Sequence, residues 1–221
     1  MSTTRDAAGL RAQRRRHHDS LSREHILDAA EHVFSRKGFH EATLKEIAQR
    51  AEFSVGALYG FFDGKDDLFA KVMERRGAAI VDVIEQAVAQ GGTATEKLHA
   101  LVDGQFRYFR EHHRFYVLLQ RTIGFSWLNF SARIDEASFE RYRKAIALEA
   151  KVFAEGVRSG EFRAADPETM GELFSGIMQA YLAHWILQMD ERGDSPVTAA
   201  FPLEELHAFV DRAFLAAAPS A

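Results

Sequence analysis

The stretch TLKEIAQRAEFSVGALYGFFDGK, Thr43 to Lys65, decides how this chain folds. Thr43 is placed to cap a helix, and Glu46 three residues on reaches back to the free amide of Thr43, so Thr-Leu-Lys-Glu reads as a capping box. Leu44, Ile47 and Ala48 then supply one apolar face at helical spacing. Ala51, Glu52 and Phe53 make a tight turn, and Ser54 caps a second short helix through Val55, Gly56, Ala57, Leu58 and Tyr59. The first residues of that helix are small, which lets its amino end press into a major groove.

Upstream lies a third helix with its own signals. Ser22 reads as its N-cap, with Leu21 packing on Ile26 as a hydrophobic staple. Ile26, Ala29, Ala30, Val33 and Phe34 follow at spacings of three and four, and Gly38 stops the helix after Lys37. That stripe is expected to pack on Leu44, Ile47, Leu58 and Phe61 or Phe62, and so to fix the angle of the helix after Ser54.

The combination resembles the TetR family of one-component bacterial repressors, in which T-x-x-x-I-A, a small residue followed by Ser, and L-Y-x-x-F-x-x-K recur. Here those positions are Thr43, Ile47, Ala48, Ser54, Leu58, Tyr59, Phe62 and Lys65. Two short amphipathic helices in any all-helical core can imitate a helix-turn-helix. The Tyr59, Phe62, Lys65 tail and the upstream helix extend the match from Ser22 to Leu68.

The resemblance implies an all-α chain: a disordered basic arm over residues 1–20, a helix-turn-helix head over 21–68, and a ligand-binding and dimerisation body over 69–221. It implies that Thr43, Lys45, Ser54, Val55, Gly56, Ala57, Tyr59, Gly60 and Lys65 meet double-stranded operator DNA, helped by Arg14, Arg15 and Arg16 of the arm. Three features depart from the family pattern. Glu52 stands where the turn usually has Gly, Gly60 replaces a residue that is often aromatic, and Val55, Gly56 and Ala57 offer no bidentate donor to a base. Base reading then falls to thymine-methyl contacts, Lys45 or DNA shape.

Charge is distributed to match. The 221 residues carry a net charge of −4, yet residues 1–23 hold six Arg against two Asp, and the first 76 residues are positive on balance. An Arg-rich arm adds phosphate or minor-groove contacts, each releasing counterions. With no cysteine there is no disulfide framework, no thiolate nucleophile and no Cys-ligated zinc. Neither a signal-like start nor a membrane-length apolar run is present, so a cytoplasmic protein without a membrane partner is expected.

The four prolines all fall at or after residue 167, so a helical body is uninterrupted before it. Helices are expected over 65–90, 94–112, 114–122, 133–159, 167–190 and 203–217, the first of them linking head to body. In GVRSGEFRAADPE, Gly156 to Glu168, Gly160 ends one long helix and Asp166-Pro167 begins the next. This corner also looks like TetR regulators, and the resemblance implies that the last two long helices pair with those of a second copy. Gly176 and Ala180 would permit close approach, and Leu206, Phe209, Val210, Ala213 and Phe214 would supply the apolar stripe of a homodimer.

Aromatic residues crowd the middle of the chain. By resemblance, Phe106, Phe109, Tyr116, Arg121, Phe125, Trp127, Phe130, Phe174, Met178, Tyr181 and Trp185 are candidates to line an effector cavity for a small hydrophobic or aromatic molecule, although aromatics at helical spacing are more often core. Gln120, Gln179, His112, His113 and His184 lie near in sequence, and Gly124 to Ser131 reads as a loop or gate. Catalysis is not expected. His112 and His113 are adjacent and point apart on a helix, H-E-x-x-H and the P-loop are absent, and no metal or cofactor is called for. The reading is a ligand-responsive repressor that binds a palindromic operator as a homodimer. The alternatives are an architectural helical DNA-binding protein with no ligand and a helical enzyme.

Overall fold

The computed structural model describes residues 3–123, 135–187 and 202–216. Among these the helices are α1 (Thr3–Glu41), α2 (Leu44–Arg50), α3 (Val55–Leu58), α4 (Lys65–Ala89), α5 (Ala94–Glu111), α6 (His113–Ile123), α7 (Glu136–Ser159), α8 (Pro167–Leu187) and α9 (Leu203–Phe214). The body helices expected from the sequence thus appear within three residues of their anticipated ends. An isolated antiparallel bridge, Phe162 to Leu215, is the only extended pairing among the described residues.

The start of the chain differs from expectation. The sequence suggests a disordered arm over 1–20 and a cap at Ser22, but α1 runs from Thr3 straight through Ser22. Ser22 is buried in that helix and Leu21 is largely exposed, so neither the cap nor the staple forms. The physical reason is composition: Ala, Leu, Gln and Arg are strong helix formers, and no proline interrupts them. Gly38 does break the helix, at φ 78° and ψ 170°, a conformation in the left-handed half of the map that a side chain would strain. From there the chain turns into α2.

Two apolar cores follow. In the first, Ile26, Ala30 and Phe34 of α1 meet Ile47, Leu58 and Phe62 together with Leu68 and Val72 of α4, all buried. In the second, Leu98 and Leu101 of α5, Phe153 of α7, Phe174 of α8 and Val210 and Phe214 of α9 pack together. Ring contacts bind this second core, with Phe153 within 4.9 to 5.9 Å of Phe162, Phe174 and Phe214, centroid to centroid. The helix α4 belongs to both cores, since Leu68 and Val72 lie in one and Ile84 and Ala87 in the other.

The corner after α7 is built around a close approach. A Cβ at Gly156 would overlap the Phe162 ring, so only glycine lets that ring fold back on α7. Glu161 beside it accepts from the amides of Ala94 and Thr95 and from the Thr95 hydroxyl, which satisfies the free N–H groups at the start of α5. Burial alone would raise this carboxyl, but those bonds and one from Ser159 hold it down at about 2. Among the described residues no helix is long and apolar enough to cross a membrane.

Candidate functional site

The head positions its surface through local caps. The Glu46 amide donates to Thr43 Oγ1 at 3.3 Å and the Thr43 amide to Glu46 Oε2 at 3.2 Å, which completes the capping box read from the sequence. Lys37 pairs with the same carboxylate and, with Thr43, holds it below the usual Glu range. At the other end of α2 the Phe53 amide bonds the Ala48 carbonyl at 2.9 Å and the Glu52 amide bonds Gln49 at 3.3 Å. This is a Schellman stop, and it places Glu52 at φ 59° in the left-handed position that favours glycine. Ser54 Oγ then accepts from the Ala57 amide at 3.1 Å to start α3.

Of the residues assigned to DNA by resemblance, Thr43, Lys45, Ser54, Gly56, Tyr59 and Gly60 are exposed, and Val55 and Ala57 are half-buried. Tyr59 is 59% exposed, high for an aromatic side chain beside a core, and no packing role accounts for it. Arg16 is exposed on α1, whereas the side chains of Arg14 and Arg15 lie outside the described ones. The amino end of α4 is where the sequence expects a phosphate, while the Lys65 ammonium has a structural role. Its Nζ donates to the carbonyls of His40 and Ala42 at 3.2 and 3.1 Å and sits 4.6 Å from the Phe39 ring centre. The ammonium therefore clasps the end of α1 to α4, closing helix carbonyls that would otherwise lack donors.

Between head and body lies a charged junction. Glu31 of α1 is 5% exposed and accepts from Arg76 Nε at 2.6 Å and Arg75 Nη2 at 3.2 Å, while Arg75 also reaches Glu24 and Asp28 at 2.8 Å. Tyr108 of α5 donates to the Arg76 carbonyl at 2.7 Å, and Arg76 Nη1 lies 3.4 Å from His112 Nε2. Desolvation, then the neighbouring Arg76 charge, lowers the His112 pKa.

Below this junction α4, α5, α6, α7 and α8 enclose a cavity of about 130 Å³, lined by apolar side chains such as Met73, Ile80, Phe109, Phe115, Ile146 and Leu182. Three of the effector residues expected from the sequence line it: Phe109, Tyr116 and Met178. Phe106, Tyr181 and Trp185 gather instead in a cluster of their own, with ring centres 5.6 and 6.0 Å from Phe106. Phe174 is fully buried in the second core, and Arg121 is exposed on α6 beside Lys37 and His40. Phe125, Trp127, Phe130 and the whole segment Gly124 to Ser131 lie outside the described residues.

Of the polar lining, sequence reading names Tyr116, Gln120 and Gln179 but misses Gln105, Arg141 and Glu149. Tyr116 donates to the Gln179 carbonyl and accepts from Gln120, both at 2.9 Å, so these groups satisfy one another. Glu149 does not find such closure: Gln105 Nε2 donates to its Oε1 at 2.9 Å, and Oε2 is buried with no partner. Burial, opposed only by the Gln105 bond, pushes this carboxyl up to about 8, so it is mostly protonated at neutral pH. Arg141, which donates to Ser138 at 2.8 Å, keeps a buried Nε without a partner. A signal did exist, since Glu149 sits in the apolar row Ala145, Glu149, Phe153 at four-residue spacing, where an acid has no structural reason to be.

The expected dimer stripe divides. Leu206, Val210 and Phe214 are buried in the second core of this subunit, against Phe153 and Phe174, and Ala213 is partly covered there. This corrects their assignment to an interface: α9 needs its apolar face to close its own subunit. Gly176 and Ala180 of α8 are exposed, with nothing near the place of a Gly176 Cβ, and Leu173 and Phe209 are exposed at 59% and 48%.

Comparison with known proteins follows the same division into head and body. Residues 26–72 match the model of bacterial regulatory proteins of the tetR family, and residues 73–195 match the C-terminal region of YsiA-like proteins. The chain is 22% identical over 170 residues to the fatty acid metabolism regulator protein of Bacillus subtilis, spanning 76% of this chain and 85% of that one. It is 24% identical over 178 residues, 80% of each chain, to the transcriptional repressor KstR of Mycolicibacterium smegmatis. In fold it is similar to FadR of Bacillus subtilis solved with stearoyl-CoA, at a TM-score of 0.67 and 20% identity over 86% of this chain and 95% of that one. These relatives are regulators of transcription, not enzymes. Matched by two adjoining family models from Ile26 onward, the chain belongs to the tetR family of bacterial regulatory proteins and is a DNA-binding, ligand-responsive transcriptional regulator.

Proposed function

We propose that this regulator works in the cytoplasm as a homodimeric repressor, setting α3 of each subunit into successive major grooves of an inverted-repeat operator and leaving it when an acyl-like apolar molecule enters the body. The observation that carries this reading is α4, whose Leu68 and Val72 are fixed in the head core while Met73, Gly77, Ile80, Val81 and Ile84 line the cavity. A ligand that fills this cavity presses on α4, and a shift of α4 carries the head with it. The solved neighbour's stearoyl-CoA suggests the apolar, acyl character of the effector.

In this proposal Ser54, Tyr59, Thr43 and the amino end of α3 take phosphates and set register, while Val55 to Ala57 read base methyls and groove shape. The exposed Leu173, Gly176, Ala180 and Phe209 offer the face for a second copy. Two heads then stand about 34 Å apart, as adjacent major grooves require. Coupling of ligand to DNA is of the order of 1 to 3 kcal/mol, as in switches of this kind. The experiment is selection of bound DNA from a random pool, followed by titration of fatty acids and their CoA thioesters against the selected site. Enrichment of an inverted repeat that an acyl compound releases supports the proposal; an enriched pool without dyad symmetry, or one no acyl compound releases, overturns it.

A further inference from the structure

Glu149 and Arg141 line the same cavity from the same helix, eight residues apart on α7. At 1.5 Å per residue that is about 12 Å, two helical turns. Tyr142, Ala145 and Ile146 lie between them on the cavity side, so the space bounded by these two polar groups is mainly apolar. Each end presents an atom the protein leaves unsatisfied: Arg141 Nε at one, Glu149 Oε2 at the other. Buried polar atoms are nearly always paired, because an unpaired one costs about 1 to 3 kcal/mol. Two in one cavity, where the neighbouring Tyr116 hydroxyl both donates and accepts and the Gln120 and Gln179 amides each donate, indicate partners supplied from outside the protein.

We propose that the effector is a medium-length apolar chain carrying an anionic group that pairs with Arg141 and, toward its other end, an uncharged oxygen that accepts a hydrogen bond from the Glu149 carboxyl. This deepens the effector reading above and rests on it. The Gln105 amide already donates to Oε1, which marks that oxygen as the carbonyl of the acid and leaves Oε2 as its hydroxyl. A hydroxyl at this buried, unpartnered oxygen of a cavity-lining residue gives a donor, so the ligand atom there is a hydroxyl or keto oxygen rather than an ammonium. Arg141 supplies a guanidinium edge for a carboxylate. A plain alkyl tail would leave Oε2 unpaired, and the site discriminates against it for that reason.

The experiment measures binding to the full chain by calorimetry, with decanoic acid, its terminal-hydroxyl derivative, its terminal-amino derivative and the CoA thioesters of the first two. Wild type is expected to bind the hydroxy compound about tenfold more tightly than the unsubstituted one, the worth of one buried hydrogen bond. Glu149→Leu should invert that order, and Glu149→Gln, which keeps a donor in place, should retain part of it. Circular dichroism checks that both variants fold, which is expected because replacing a buried, half-paired carboxyl by an apolar side chain of similar size is commonly neutral or stabilising. Equal binding of hydroxy and plain chains by wild type and Glu149→Leu, with both chains still releasing DNA, overturns this inference and leaves the acyl effector standing. Preference for the amino derivative overturns it too, by showing an ionised Glu149. If no chain binds and none releases DNA, the effector reading fails along with it.

Discussion

Around α2 and α3 the polar groups close on one another: Thr43 with Glu46, Glu46 with Lys37, Ser54 with the Ala57 amide, Lys65 with two carbonyls. Around the body cavity Glu149 Oε2 and Arg141 Nε are buried and unmatched. The contrast separates two uses of polarity in one helical chain. In the head, closed networks fix an angle and leave the working groups on the surface. In the body, open valences are kept where a ligand can complete them, at a cost in stability.

That cost gives the prediction with the largest effect. The Glu149 carboxyl stands at about 8 in the folded protein against an ordinary 4.5. The folded state therefore holds a proton that the unfolded chain has released, and stability falls as pH rises through the window from 4.5 to about 8, then levels off. The loss is on the order of several kcal/mol over the window, at most about 1.4 kcal/mol per pH unit. Urea titrations of wild type and Glu149→Leu across that range should show a slope in the first and its loss in the second. Parallel curves would mean that water or a rearrangement already satisfies the carboxyl.

Next comes the junction between head and body. Glu31→Ala strands Arg75 and Arg76, and although Glu24 and Asp28 remain near Arg75, a loss of about 2 to 4 kcal/mol is expected by chemical denaturation. Smaller again is Tyr59→Ala. The ring is exposed, so the melting temperature should not move, while operator affinity measured by fluorescence anisotropy should drop about tenfold if Tyr59 holds a phosphate. The smallest effect tests whether the head is strained anywhere: Glu52→Gly should raise stability by about 1 kcal/mol by relieving the left-handed backbone at φ 59°.

From Thr43 to Ser54 the head was legible in the sequence because its structure there is local, whereas the Ser22 cap and Leu21 staple do not form. Caps, the turn and the positive φ at Glu52 depend on residues within five positions of one another, and each has a characteristic residue pattern. Helix ends in the body were legible for the same reason, Gly160 and Asp166-Pro167 among them. What failed was the direction in which a helix faces. Leu206, Val210 and Phe214 form a stripe that fits a partner subunit or the chain's own core equally well, and only packing against Phe153 decides between them. Likewise Phe106 and Phe109 are three residues apart on one helix, yet Phe109 lines the cavity and Phe106 meets Tyr181 edge to face. The Lys65 clasp was not legible because its carbonyl partners lie more than twenty residues upstream, where no sequence motif records them.

The Glu31 clamp bears on how such regulators are recombined in the laboratory. A chimera cut at residue 68, where the sequence suggests the head ends, would part Glu31 from Arg75 and Arg76 and bury an acid from one parent against whatever the other parent offers. A join placed after Arg76 transplants donor and acceptors together. Hybrids cut at the later seam should accumulate as folded protein, and those cut at the earlier one should do so only when the second parent also supplies paired cations at those two positions.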